Sequence, residues 1–371
     1  MKKKILISIW SDPSFYINLC FLINKLFQKY EIILICRKIK KSENFYYLVN
    51  NKKIKIIEIE GTGKWALIKY LLATIKLCIQ NSFYICISVN FLSLITLSVT
   101  KILIRKKFKF YYYNFDFNLS KNIQFKTFLE KKALKFIDII FIPSPSRLRI
   151  YKKNFKVKNK IVSIFNCYSK KFKPNINNKS KLKKILKNKF VVTRLGSYNS
   201  YHYLREIVSA SSDLNKNIIL VLAGHDYNNY FKKLNLYLKK KKILRSNLLL
   251  LGSINYTEWF YILKKASLGI AFYENINTSH NNMAGTSQKL NNYVFAGIPV
   301  LTNNNLEFRK YNKKYKNLLL VNPENINNIS KTINAIYKNK KKYLKLKKQS
   351  KKAFLEEFNF EKQYKKIEYL F

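Results

Sequence analysis

The 371-residue chain is predicted to be an α/β protein built from two doubly wound parallel sheets, each in its own domain. Three observations point there. Short β-branched and aromatic runs alternate with longer stretches of helical period along the whole length. Between Tyr168 and Lys189 the sequence SKKFKPNINNKSKLKKILKN loses its apolar periodicity, with Pro174 inside it, which marks a domain boundary. Beyond that break, strand-like runs end in glycine at Gly196, Gly224 and Gly252. The expected division is residues 1–170, a linker at 171–188, a second domain at 189–345, and a helical segment at 346–371 that packs back on the first domain.

In the first half, strands are expected at Ile5–Ile9, Ile32–Cys36, Ile54–Ile59, Phe83–Val89, Lys109–Tyr113, Ile137–Ile142 and Ile161–Ile164. Helices fill the intervals. The helix after Phe141 has a start signal, because Ser144 can cap it and Pro145 suits the first helical position, where its missing N–H costs nothing. The start MKKKILISIW is read as a first strand: its apolar part is too short for a signal peptide and runs into Asp12 and Pro13. The uncharged run Ile79–Thr100 has the length of a membrane span but holds Gln80, Asn81, Asn90 and several Ser and Thr. It reads as a strand followed by a buried helix. In the second half, strands are expected at Phe190–Leu195, Ile218–Ala223, Leu248–Leu251, Leu268–Phe272, Ile298–Thr302 and Leu318–Val321.

A hydrophobic content of 48% excludes a disordered chain. With 72 Lys and Arg against 19 Asp and Glu, the formal charge of +53 favours polyanionic partners such as an anionic membrane surface or a phosphorylated glycolipid. Part of the lysine is accounted for equally well as solvated filler. No specific nucleic acid is expected, because the lysines are scattered and no zinc-ligand spacing appears. The five cysteines include no C-x-x-C pair and sit mostly in apolar runs, as thiols buried in a reducing compartment do. The aspartates Asp12, Asp116, Asp138, Asp213 and Asp226 form no D-x-D, and His202, His225 and His280 are dispersed, so no metal site is expected.

The stretch GTSQKLNNYVFAGIPVLTNN, Gly285–Asn304, carries the chemistry. Leu290, Tyr293 and Val294 recur at helical spacing, Thr286 or Ser287 can cap the start, and Gly297 can end the helix before IPVLT resumes as a strand. A helix N-terminus at the carboxyl edge of a parallel sheet is an anion site, and Lys289 on its first turn adds a positive charge. Glycines at strand ends sketch the same ligand face, since a missing side chain lets backbone approach a ligand.

SQKLNNYVFAGIPVL resembles the nucleotide-sugar segment of GT-B glycosyltransferases, in particular glycosyltransferase family 4-like members (glycosyl transferases group 1). Their pattern runs roughly P-x-K-x-x-E-Y-x-x-x-G-x-P-V-I. Lys289, Tyr293, Gly297, Pro299 and Val300 match it in register. EKKALKFIDIIFIPS, KIVSIFNCYSKKF, VVTRLGSYN, LVLAGHD, LLLGSIN and ASLGIAFYE resemble further segments of that fold in the same order. Two departures stand out: Asn292 occupies the place of a ribose-holding glutamate, and Ala284 that of a second glutamate eight residues earlier. In the first domain, SIWSDPSF replaces a glycine-rich turn.

The resemblance implies a GT-B fold with two Rossmann-like domains facing a cleft. The second domain would bind a nucleoside diphosphate sugar, a donor substrate with no cofactor, and the first would present a glycan or lipid-linked acceptor. It implies a retaining, metal-independent transferase of surface polysaccharide or lipopolysaccharide biosynthesis. Such an enzyme would be cytoplasmic, at the inner face of the membrane. On this basis Lys289 is the first candidate to neutralise the leaving diphosphate, followed by Arg194, His202 and Arg205. His225 and the three strand-end glycines line the nucleotide face, together with Gly285, Thr286, Ser287 and Asn292. Glu274 is the loop carboxylate nearest the donor sugar, and Asp12 or Asp116 is the acceptor-side base. The helix WALIKYLLATIKLCI, Trp65–Ile79, mixes Lys69 and Lys76 with apolar residues and suits a membrane face. Two other readings are an epimerase of the same fold, acting on the same donor, and a non-catalytic polyanion-binding protein on this scaffold.

Overall fold

The computed structural model describes residues 2–38, 45, 49, 54–115, 124–176, 182–243, 246–276 and 278–371. They form two compact units. One comprises Met1–Ser169, Asn277–Asn282 and Phe360–Phe371, and the other Lys170–Ile276 and Met283–Asn359.

The first unit is a seven-stranded parallel sheet of β1 (Lys4–Ile9), β2 (Glu31–Arg37), β3 (Lys55–Ile59), β4 (Phe83–Val89), β5 (Lys109–Tyr113), β6 (Ile139–Ile142) and β7 (Lys160–Ser163), in the order β3-β2-β1-β4-β5-β6-β7. The central strands are nearly continuous apolar runs because helices cover both faces. The edge strands β3 and β7 are half-exposed and carry charged residues. The uncharged stretch 79–100 resolves into β4 and the helix Asn90–Ile104, and among the described residues no helix is long and apolar enough to cross a membrane. Ser144 caps the helix Pro145–Phe155 through the Arg147 amide, as its sequence predicts. All five cysteines are buried.

The second unit is a six-stranded parallel sheet of β8 (Phe190–Leu195), β9 (Ile218–Ala223), β10 (Leu248–Leu250), β11 (Ala266–Ala271), β12 (Val300–Asn303) and β13 (Leu318–Val321), ordered β10-β9-β8-β11-β12-β13. Its order reverses between β8 and β11, the topological switch point at which an open α/β sheet binds ligands.

The units differ from the expected boundaries in three places, the first being Asn277–Asn282, which falls in the first unit although it lies within 189–345. The stretch expected as a linker opens the second unit: Phe172 packs 5.5 Å from Phe260 and 6.1 Å from Phe295, and Leu182–Leu186 is helical. Residue 345 falls inside an unbroken helix, Lys340–Glu356, which stays with the second unit because its buried Phe354 meets Phe295 at 5.4 Å. Only Phe360–Phe371 belongs to the first unit, where the Tyr111 hydroxyl donates to Leu370 O at 2.8 Å.

In the first unit Glu130 is buried, and among the described residues no cation is bonded to it; Tyr112, Asn114 and Tyr151 all donate to its Oε1, at 3.1, 3.1 and 2.7 Å. Burial pushes its carboxyl above the ordinary range, and these hydrogen bonds only partly offset the effect. A carboxyl raised in the folded state stabilises fully below its unfolded value, and that contribution is lost as pH rises through the folded value. Stability of the wild type should therefore fall as pH rises from the ordinary glutamate range through the raised folded value. Glu130→Gln keeps the acceptor oxygen and should flatten that slope in denaturant titrations across pH, while a slope unchanged by the substitution would refute the assignment.

Candidate functional site

The carboxyl end of the β8–β11 switch point is assembled from backbone outward. β8 and β11 pair only as far as Thr193 and Gly269, and beyond that point the strands separate. Tyr293, from the helix Gln288–Phe295, fills the gap. Its hydroxyl accepts from Leu195 N at 2.9 Å and donates to Thr193 O at 3.0 Å. Its ring lies against Gly269 so closely that a Cβ there would overlap it, which is why β11 carries a glycine in mid-strand. At the ends of β8 and β9, Gly196 and Gly224 have φ of +147° and +153°, and a Cβ on Gly224 would collide with the Gly196 carbonyl oxygen. Gly224 N in turn donates to Gly252 O at 3.1 Å, so the three strand-end glycines share one backbone shelf.

Two cations converge on that shelf. Arg194 is 1% exposed; its Nη1 donates to Gly196 O at 2.6 Å, and its Nη2 is buried without a hydrogen-bond partner. Lys289 is half-buried and runs over Gly196, where a Cβ would come within 2.9 Å of Cδ. Its Nζ is 3.0 Å from His202 Nε2 and 5.1 Å from the centre of the Tyr273 ring. His202 Nδ1 faces Phe272 O at 3.0 Å; a carbonyl can only accept, so Nδ1 carries the proton and Nε2 accepts from Lys289. Burial, and then the charge of Arg194, hold the Lys289 ammonium well below the ordinary lysine range. Among the described residues no carboxylate pairs with either cation. Tyr273 is fixed in turn: Asn303 Oδ1 accepts from its amide at 2.9 Å, Asn303 Nδ2 donates to its carbonyl at 3.0 Å, and its hydroxyl contacts Ser287 Oγ.

Just before the helix Gln288–Phe295, Gly285 has φ +78° and its carbonyl accepts from Asn291 Nδ2 at 3.0 Å, while the amides of Thr286 and Ser287 both donate to Met283 O. Ser287 caps the helix through Leu290 N at 3.1 Å. Among the described residues, the side-chain atoms Thr286 Oγ1 and Asn292 Oδ1 are buried without hydrogen-bond partners, Asn292 being 2% exposed.

The remaining candidates lie elsewhere. Arg205 is exposed and stacks 5.5 Å from the Tyr237 ring, outside the Lys289 contacts. His225 is exposed against Tyr227, with its carbonyl bonded to Tyr198 N at 2.7 Å. Glu274 follows Tyr273 at the edge of the shelf. Burial raises its carboxyl, and Glu206 and Glu324 add to the rise. In the first unit, Asp12 caps the turn after β1 by accepting from Ser14 N at 2.9 Å. Asp116 lies outside the described residues. Among those residues no group of three or more His, Cys, Asp or Glu side chains could hold a metal ion. Sequence reasoning did not find Tyr273 or the hydroxyl role of Tyr293; the isolated Gly269 within a strand was the one readable sign of the latter.

A switch-point shelf with buried cations on a two-unit Rossmann-like chain defines the class, and the fold is GT-B. The family model for glycosyl transferases group 1 matches residues 172–353, and the second unit of this chain belongs to that family. A sequence search of curated proteins gives no match. Among solved structures, Anabaena HepE in complex with UDP and glucose is 12% identical, with 99% of each chain covered and a TM-score of 0.77. A glycosyltransferase from Rickettsia africae ESF-5 is 13% identical, covering 100% of this chain and 97% of that one, with a TM-score of 0.74. The lipopolysaccharide outer core galactosyltransferase WaaB in its apo form is 14% identical over 98% of each chain, with a TM-score of 0.63.

Tyr293→Phe would leave Leu195 N–H and Thr193 C=O unpaired in the core. The expected cost is about 1–3 kcal/mol. It should appear as a lower urea midpoint and faster amide exchange at Leu195, and an unchanged exchange rate would contradict the role given to the hydroxyl.

Proposed function

We propose that the protein is a glycosyltransferase that takes its sugar from a nucleoside diphosphate sugar and passes it to a glycan or lipid-linked acceptor, in surface polysaccharide or lipopolysaccharide biosynthesis. The observation that carries this reading is the buried Arg194 beside the half-buried Lys289, with no carboxylate paired to either among the described residues. A buried cation without a counter-ion is costly, and a ligand bearing two phosphates supplies the missing charge. UDP and UDP-sugar ligands in structurally similar proteins support the same class of donor.

In this reading the partnerless Nη2 of Arg194 and the Nζ of Lys289 hold the diphosphate. They stabilise the negative charge that builds on it as the bond to the sugar breaks. Fixed cations acting on the leaving group make a bound metal unnecessary. Asn292 Oδ1, a buried acceptor, takes a ribose hydroxyl where the family pattern has glutamate, and Thr286 Oγ1 is available to a phosphate oxygen. Glu274 is the carboxylate at the shelf edge for the transferred sugar. The departing phosphate can itself accept the acceptor proton, which allows transfer with retention.

The test is a thermal-shift screen of UDP-, GDP-, ADP- and CMP-sugars, since a ligand bound only by the native state raises apparent stability, by about 2.7 kcal/mol at a hundredfold excess over Kd. Lys289→Ala should abolish the shift with both the sugar nucleotide and inorganic pyrophosphate. Asn292→Ala should weaken the first and spare the second. A full shift in Lys289→Ala would sink the assignment, and product analysis with donor alone separates transfer from epimerisation. The lowered Lys289 adds a pH test. Binding an anion draws that amine back toward its ordinary range, so binding must take up a proton at pH values between the lowered and the ordinary range, and affinity must fall as pH rises. Calorimetry in buffers of different ionisation enthalpy should detect that uptake in the wild type and lose it in Lys289→Ala.

A further inference from the structure

The helix Gly63–Gln80 is fixed to the first sheet by one face only. Ala66, Tyr70, Thr74, Leu77 and Cys78 are buried, and the Tyr70 hydroxyl is bonded to Ser8 Oγ at 2.5 Å and to Ser93 Oγ at 2.9 Å. On the outer face Trp65 is 78% exposed, Leu72 59% and Ile79 58%, with Ile68 also exposed. At about 100° per residue these four side chains fall within a sector of about 60°, and Lys69 and Lys76 border it within about 40°. This is a continuous apolar stripe with a cationic margin. The helix Asn90–Ile104 packs alongside it, and the helix Gln124–Ala133 packs against that one.

The charge on this face has one sign. From Gly61 to Phe115 the sequence contains eight Lys and Arg and no Asp or Glu. Glu130, on the third helix, is turned inward, and the carboxylate preceding the stretch, Glu60, is paired with Lys38 at 2.6 Å. An apolar stripe edged only by cations meets two demands at once: hydrocarbon for Trp65, Ile68, Leu72 and Ile79, and anions for the lysines. A second copy of the same face would meet the first demand and fail the second through like-charge repulsion. A nucleic acid would meet the second and leave the apolar side chains in water.

We infer that this face docks the first unit on an anionic lipid bilayer, with the helix Gly63–Gln80 lying in the interface. The inference does not rest on the donor reading. The full-length protein should cosediment with vesicles of phosphatidylcholine and phosphatidylglycerol, much less with phosphatidylcholine alone, and should be released by salt. Lys69→Glu with Lys76→Glu should weaken binding to the mixed vesicles about tenfold or more. Leu72→Glu, at an exposed helical position, should do so as well while keeping wild-type circular dichroism and any sugar-nucleotide thermal shift. A vesicle-induced blue shift of fluorescence, lost in Trp65→Phe, would locate the contact. Wild-type partitioning of Leu72→Glu, equal binding to neutral vesicles, or a wild-type dimer that Leu72→Glu dissociates in sedimentation equilibrium would each overturn the inference.

Discussion

Placing the Arg194 guanidinium beneath the end of β8 removes it from water, and an unpaired ion in a protein interior costs on the order of several kcal/mol. The surroundings answer that cost only in part. The Gly196 carbonyl takes Nη1, and Nη2 is left without a partner. Lys289 then brings a second positive charge over the same glycine. The rest of the shelf follows from these two cations. A tyrosine face lies near the ammonium, a histidine lone pair accepts one of its protons, and strand ends without Cβ atoms leave room for its stem.

Rigidity comes from a different set of residues. Tyr293 bridges the strands where their ladder stops, and Asn303 holds both backbone polar groups of Tyr273 beyond the last residues of the β11–β12 pairing. These contacts fix the backbone of the shelf where the strand pairing ends. The helix Gln288–Phe295 contributes through Lys289 and its buried face, while the Thr286 and Ser287 amides turn back on Met283.

The strands were legible because both sheets are covered on two faces, which makes each strand a short apolar run with a polar or glycine stop. The strand-end glycines and Lys289 were legible for the same local reason. What sequence could not convey were contacts between residues far apart in the chain: His202 with Lys289, the Tyr293 hydroxyl with Thr193, Asn303 with Tyr273. The misplaced boundary at residue 345 has a local cause. The helix Lys340–Glu356 is so rich in lysine that its few buried residues, Ser350, Ala353 and Phe354, do not announce which body it joins.

The excess positive charge also acts in two physically distinct ways. At the switch point of the second unit Arg194 is buried and Lys289 half-buried, so both are screened less by salt than exposed charges are. On the outer face of the first unit the cations are exposed at the margin of apolar side chains, where each contributes little alone and the sum depends on ionic strength. A composition-wide bias toward lysine would supply the second kind without design, but not the first. Burial at 1% exposure, a guanidinium oriented by a neighbouring carbonyl and a glycine cleared for a lysine stem are features of particular positions. The absence of any acid across Gly61–Phe115 is likewise positional, since acids do occur on both sides of that stretch, at Glu58 and Glu60 before it and at Asp116 after it. Net charge alone would have distinguished neither arrangement from solvated filler; the placement of apolar groups and carbonyl oxygens around the cations does.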